Sequence, residues 1–379
     1  TVLQGKAVHE GEEQHVFVRI AEYDGKLYLD LANEHWQAVE ITTTAWRVVD
    51  RPPVRFRRSK AMLPLPMPAT GGTLENLWLF VNVREEDRQL VVAWLLMCFA
   101  PRGPYPVLGL SGGQGTTKST TARVLRSLID PSVAPLRTAP RDERDLMISA
   151  SVGRVLAFDN LSHLPQWLSD AFCRLATGGG FSTRELYSND EETIFDSQRP
   201  VLFTGIEDIA VEGDLIDRGI RLLLPPITAT ARKEESKFWQ EFEKARPKIL
   251  GALLNVLVVI LRKRASVKLK KLPRMADFAV WVTAGASALG WKVNDFLAAY
   301  ERNRFVANEL TLDASTVAKG ILLLAQVGDW DGTAGELLEQ LTPFLSERET
   351  KARQWPKNPL ALSNALRRLV PSLQTAGIT

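Results

Sequence analysis

Residues 107–121 read VLGLSGGQGTTKSTT, a short apolar run followed by a glycine-rich turn that closes on Lys118, Ser119 and Thr120. An apolar strand that feeds such a turn and then a helix is the opening unit of a parallel α/β sheet. The residue types also carry chemistry. Small residues let backbone N–H groups approach a polyphosphate, and the following helix aims its positive end at the same oxygens. Lys118 then reaches the β- and γ-phosphates while the Ser119 hydroxyl holds Mg²⁺, so the expected cofactors are ATP and Mg²⁺. The cradle comprises Gly112, Gly113, Gln114, Gly115, Thr116, Thr117, Lys118, Ser119 and Thr120. Gly112 and Lys118 fit the pattern G-x-x-x-x-G-K-[ST], but Thr117 stands where the second glycine belongs. Thr117 is expected in the first helical turn with negative φ, where a side chain is sterically allowed. An ordinary strand-to-helix turn with a solvated lysine is the alternative reading of the loop alone.

A phosphate loop needs a second site for metal and water. About forty residues after Lys118 the apolar run VLAF ends in Asp159-Asn160, where a Mg²⁺-organising carboxylate is expected. Asn160 occupies the place of a common general-base Glu, and an amide cannot accept the proton, so Asp159 or a carboxylate from elsewhere must activate water. The next apolar run, Val201 to Gly205, presents Thr204 near its end, either to orient the attacking water or simply to bond a neighbouring backbone.

Around this centre, 379 residues predict two or three structural units. The 47 Lys and Arg against 44 Asp and Glu leave a net charge of only +3, so contact with nucleic acid must come from local clusters. Cys98 and Cys173 fall in apolar helical patterns and are expected reduced and buried, which leaves neither a disulfide framework nor a zinc site. The longest apolar run, Ile249 to Leu261, is about thirteen residues, too short to span a bilayer, and reads as a buried helix. The chain opens at Thr1 without an initiator methionine or signal-like segment and closes at Thr379 soon after a helical pattern, as a trimmed cytoplasmic protein would.

The alternation VFVRIAEYDGKLYLDL, centred on Asp24-Gly25, predicts a β-hairpin and a small β-rich unit over 1–72 that ends in a proline-punctuated stretch at Gly71-Gly72. Strand and helix patterns alternate over 73–228, long helical patterns fill 229–328, and helix-like segments recur over 329–379.

In their order and separation, GGQGTTKST, VLAFDN, RPVLFTGI and DLIDRGIRL resemble the AAA+ ATPase core of replicative helicases from phages and integrating elements, related to minichromosome-maintenance and superfamily III helicases. That family often carries Ala-Lys or Thr-Lys in the loop. The resemblance implies a fold with a parallel sheet, a helical lid and a C-terminal winged-helix module. It implies Thr204 in the sensor position, Arg218 presented to a neighbouring subunit's nucleotide, and Arg274 as the γ-phosphate-sensing arginine of the lid. It further implies a ring, most simply a hexamer, acting on DNA with a primase, polymerase or initiator, in the cytoplasm of a bacterial host. The segment FSTRELYSNDEETIFDSQ matches the hairpin that such helicases point into the pore, yet its tip, Ser188 to Glu192, is acidic where the family is basic. Arg184 on the first arm and Arg367 and Arg368 in the tail are the candidate DNA contacts. Two basic clusters, RPPVRFRRSK and RKRASVKLKKLPR, could hold phosphate backbones or form solvated faces. Two rival functions follow from the same residues: a loader or regulatory ATPase that switches on DNA or a partner protein without unwinding, and a P-loop small-molecule kinase.

Overall fold

The fold is taken from a computed structural model that describes residues 11–12, 14–179, 181–184, 192–195, 198–205, 213–228, 232–292, 294–352 and 355–378. After β1 (Val16–Phe17), four strands form an antiparallel meander in chain order: β2 (Ile20–Tyr23), β3 (Lys26–Asp30), β4 (Ala38–Ile41) and β5 (Trp46–Val49). Asp24 and Gly25 turn the first hairpin at φ 51° and 69°, the left-handed pair that a two-residue turn between twisted strands requires. A short β6 (Arg55–Phe56) returns to lie parallel to β1.

One face of the meander packs a small cluster of its own, Ala21 and Tyr28 with Val54, Phe17 and Phe56, while the other face turns to the centre of the molecule. Ile20, Leu27, Leu29, Val39 and Ile41 join one hydrophobic cluster with residues of the central sheet and its helices. The fully buried Arg19 fastens the junction, donating to Asp130 Oδ1 at 3.1 Å, to the Asp30 carbonyl at 3.0 Å and to the Leu63 carbonyl at 2.9 Å. The stretch read as a boundary at Gly71-Gly72 is a packed strap. A Cβ on Gly72 would stand 2.1 Å from the Lys248 carbonyl oxygen, so only glycine allows that approach.

The central sheet is parallel throughout, in the order β12 (Gly219–Leu223), β7 (Val107–Ser111), β11 (Val201–Gly205), β8 (Leu156–Leu161). Every residue of β7 and β11 is buried, which is why these runs are continuously apolar rather than alternating. Helix α1 (Arg88–Cys98) precedes β7 and α2 (Lys118–Ser127) follows it. Then come α3 (Glu143–Val152) before β8, α4 (Gln166–Thr177), the antiparallel pair β9 (Phe181–Arg184) and β10 (Glu192–Phe195), and the short α5 (Gly213–Asp217) before β12.

Helices α6 (Glu235–Lys263), α7 (Ala276–Gly285) and α8 (Asp295–Ala314) complete the main body. Along α8, Asn303 accepts from the Arg221 N–H at 3.0 Å and donates to the Arg221 carbonyl at 2.7 Å, closing the edge of β12 as a neighbouring strand would. The tail comprises α9 (Thr316–Val327), α10 (Ala334–Leu341), α11 (Glu347–Lys351) and α12 (Pro359–Thr375) around a separate core of Leu312, Val317, Leu341, Trp355, Leu362 and Leu373. That core starts ahead of residue 329, and the described residues from 329 onward contain no strand. No single helix among the described residues is long and apolar enough to cross a membrane; α8 and α9 reach that hydropathy only as a pair bent by 95°.

Candidate functional site

The glycine-rich loop leaves the C-terminal end of β7 in the middle of the sheet. Gly112 has φ 149°, and a Cβ there would meet Thr116 Oγ1 at 2.8 Å and the Leu224 carbonyl at 3.0 Å, whereas a Cβ on Gly113 would meet nothing within 4 Å. Thr117 does not take the expected negative φ. It lies at φ 60°, ψ 30°, in the N-cap position of α2 and with no side-chain cap bond. The position is the one where glycine is sterically free and a β-branched residue is strained, so Thr117 departs from the motif at a conformational cost. Its hydroxyl donates to the Thr116 carbonyl at 2.7 Å. Lys118 Nζ folds over the loop, donating to the carbonyls of Gly112 at 2.6 Å and Gly113 at 2.8 Å.

Asp159, in the C-terminal half of β8, is the hub of the site. Its Oδ1 accepts from Ser119 Oγ at 2.8 Å and from Thr204 Oγ1 at 2.5 Å, and Thr204 Oγ1 in turn accepts the Asn160 N–H at 2.9 Å. Three segments distant in sequence therefore meet on one carboxylate oxygen beside the loop. Asn160 has φ 54° and an exposed side chain. Asparagine tolerates that left-handed conformation, which gives a backbone reason for its presence.

Two residues missed in the sequence join the loop. Asn82 Nδ2 donates to the Thr116 carbonyl at 3.1 Å and to the Pro225 carbonyl at 2.7 Å, tying the loop to the segment after β12. Arg232 Nη2 stands 3.7 Å from where a Cβ on Gly115 would be, bringing a guanidinium to the loop from the start of the helical region. Nearby, a cavity of about 320 Å³ is lined by Ser111, Leu223, Ala299, Val306 and the polar Arg84, Asp87 and Asn303. Burial, with the charge of Glu86, pushes the Asp87 carboxyl up to about 6.

Arg218 and Arg274 stand elsewhere. Arg218 immediately precedes β12, and its carbonyl accepts the Val107 N–H at 3.0 Å, so it belongs to the N-terminal ends of the strands. The four steps from Val107 to Ser111 put about 13 Å of strand between that level and the start of the loop. Arg218 pairs with Asp214; Arg274 bridges Asp214 at 2.6 Å and Asp217 at 2.9 Å; Arg304 pairs with Asp217 at 2.6 Å. The result is an alternating row of three guanidiniums and two carboxylates. Partial burial opposes the Asp214 charge, but the bonds and charges of Arg218 and Arg274 outweigh it and hold its pKa below the ordinary carboxylate range. Cys173 borders the row, its thiol pushed up to about 12 by burial and then by Asp214. Asp214 and Asp217 lie within DLIDRGIRL, and Asp214 pairs with Arg218 at i,i+4, but nothing in the local sequence marks Arg304, whose contact with Asp217 spans 87 residues.

Among the described residues no group of three or more His, Cys, Asp or Glu could hold a metal ion unaided. Arg367 and Arg368 are exposed on α12. Arg184 lies on β9 with its side chain outside the described residues, as does the acidic tip 188–191.

A glycine loop at the C-terminal end of a central parallel strand, facing a carboxylate on another strand, defines this chain as an α/β protein with a candidate phosphate site. The family model for actinomycete integrative conjugative element replication proteins matches residues 74–303, and the C-terminal domain model of the same family matches 317–379. The chain belongs to this family of mobile-element replication proteins. No curated protein sequence matches it. Among solved structures, the A form of the apo NrS-1 C-terminal region aligns at 10% identity and TM-score 0.38 over 58% of this chain and 64% of that one. A longer form of that region aligns at 10% and 0.38 over 93% and 88%. JCV helicase with a bound inhibitor aligns at 14% and 0.31 over 58% and 65%. The chain thus spans under two thirds of the first and third of these.

Proposed function

We propose that this replication protein is an ATP-hydrolysing DNA motor of the AAA+ type, a helicase that works as a ring, most simply a hexamer. The observation that carries the reading is the convergence of Ser119 and Thr204 on Asp159 Oδ1 beside Lys118. The residues fit MgATP: Ser119 Oγ and Asp159 Oδ1 lie 2.8 Å apart, close enough to share one Mg²⁺, and Gly113, where a Cβ would meet nothing within 4 Å, leaves the loop open to phosphate. The ion would shield the phosphates and polarise the γ-phosphoryl group. Lys118 would exchange the two loop carbonyls for phosphate oxygens, Asp159 would take the water proton, and Thr204 would fix the Asp159 carboxylate. The cavity beside Ser111 would take the nucleotide base.

Arg218 would complete the site of the adjacent subunit, because the sheet separates it from its own Lys118. The resemblance assigns Arg274 to its own subunit's γ-phosphate, whereas its ion pairs with Asp214 and Asp217 support assigning it to the neighbour's, together with Arg218. Subunit mixing tests both assignments. Lys118→Ala, Arg218→Ala and Arg274→Ala should each abolish DNA-stimulated turnover. An equal mixture of Lys118→Ala with either arginine variant should regain it at about a quarter of interfaces. A silent mixture with Arg218→Ala overturns the shared site, and a silent mixture with Arg274→Ala alone returns Arg274 to its own subunit.

The exposed, left-handed Asn160, which supplies no base, favours a second reading, a loader that hydrolyses ATP slowly and leaves the duplex intact. Displacement of a strand from a forked duplex separates the two.

A further inference from the structure

Among the motifs outside this reading is RPPVRFRRSK, residues 51–60, with five basic residues and no acidic one. Its two ends grip the loop between β3 and β4. Arg58 donates to both carboxylate oxygens of the buried Asp30, at 3.0 and 2.6 Å, and to the Asn33 carbonyl at 2.6 Å. Asp50, just before the motif, accepts from Gln37 Nε2 at 2.7 Å. Within the loop Asn33 accepts the Gln37 N–H at 3.0 Å and the Trp36 N–H donates to the Asn33 carbonyl at 3.2 Å.

The loop so braced exposes Glu34, His35 and Trp36. Trp36 is 57% exposed, has φ 56°, and rests one ring face on Arg58, whose guanidinium carbon lies 3.8 Å from the ring centroid. Arg58 is therefore spent on Asp30 and the indole, and not free for phosphate. Arg51, Arg55, Arg57 and Lys60 are exposed, and Arg51 and Arg57 are the chain neighbours of Asp50 and Arg58, the two residues that hold this loop. A rigid indole with a free face among exposed cations is the chemistry of a single-stranded nucleic acid platform: the ring stacks a base of any identity and the cations take the flanking phosphates. An apolar protein partner would leave those cations desolvated and unpaired, and an intact duplex offers no unstacked base.

We propose that this face of the β-meander binds single-stranded DNA, with one base stacked on Trp36 and phosphates on Arg51, Arg57 and Lys60, as a site distinct from the nucleotide loop. The test is anisotropy of a labelled oligo-dT strand with the full chain and no nucleotide, which keeps it independent of the ATPase reading. Trp36→Ala should weaken binding about tenfold and Trp36→Phe less, with the melting temperature unchanged because the ring is exposed. Arg57→Ala with Lys60→Ala should lower the slope of log affinity against log salt by about one per lost phosphate contact. Intact duplex DNA should bind with no dependence on Trp36. Unchanged oligo-dT affinity in Trp36→Ala, an equal loss on duplex, or preference for oligo-U over oligo-dT would overturn the proposal.

Discussion

Replacing Thr204 by valine keeps the volume and shape of a residue that is only 1% exposed and removes one oxygen. Two contacts go with it: the 2.5 Å bond donated to Asp159 Oδ1 and the 2.9 Å bond accepted from the Asn160 N–H. A hydrogen bond to a charged acceptor contributes about 1.5–3 kcal/mol. The orphaned N–H adds less than its buried maximum, because Asn160 is exposed and water can reach it. The local loss is therefore about 2 kcal/mol, concentrated on the orientation of Asp159. Small misplacements at a reacting centre cost up to about a hundredfold in rate. Steady-state hydrolysis by Thr204→Val should fall about 10- to 100-fold, while equilibrium binding of a fluorescent ATP analogue changes less than about threefold because the Lys118 loop is untouched. Thr204→Ser retains the hydroxyl and should stay within about threefold of the parent. Equal turnover in the valine and serine variants would refute the idea that this hydroxyl positions the carboxylate.

Two further perturbations test the conformation and the electrostatics of the same region. At Thr117, glycine relieves about 1–2 kcal/mol of left-handed strain, offset by about 0.5–1 kcal/mol of chain entropy and by the lost bond to the Thr116 carbonyl. Thr117→Gly should thus be neutral to slightly stabilising and Thr117→Val clearly destabilising in urea unfolding; a valine variant more stable than the glycine one would sink the strain argument. Asp87 has its folded pKa raised to about 6 from 3.8, so its protonated form is favoured in the fold. That contribution is complete below about pH 4 and is lost as pH rises through about 6. Asp87→Asn should therefore gain stability relative to the parent between about pH 4.5 and 7.5, by about 1 kcal/mol after discounting for partial exposure, read from melting temperatures at the two pH values. A constant difference would show that burial does not govern this carboxyl.

The sequence made legible what is local. The Asp24-Gly25 turn, the buried runs of β7, β8 and β11, and the loop that ends in Lys118 all depend on neighbours a few residues apart. Asp159 and Thr204 are readable as polar residues near the ends of apolar runs, but their sharing of one oxygen requires the strand order, which places β11 between β7 and β8. Thr117 defies the expected negative φ because a one-residue departure from a motif says nothing about whether the backbone or the side chain yields. The Arg19–Asp130 anchor spans 111 residues and the Arg274–Asp214 pair 60, separations at which no periodicity survives. Asn82 and Asn303 are invisible for another reason: a side-chain amide that binds a backbone carries no signature until that backbone has a place.

The two ends of the parallel sheet bear directly on assembly. In a parallel sheet all strands point one way, so a loop leaving β7 and an arginine entering β12 are held apart by the strands themselves, whatever the side chains do. If hydrolysis requires both the Lys118 ammonium and the Arg218 guanidinium, one chain cannot supply both to one phosphate, and a second copy must turn its entering ends toward the first copy's leaving ends. Such a contact is head-to-tail, and closed rings are its finite solution. Asp214 then holds Arg218 and Arg274 together while no phosphate faces them, so an arriving γ-phosphate competes with a carboxylate already in place. Replacement of Asp214 by asparagine would take the carboxylate from Arg218 and leave Arg274 held by Asp217 alone, and the penalty should fall on turnover in assembled rings rather than on ATP binding by single subunits.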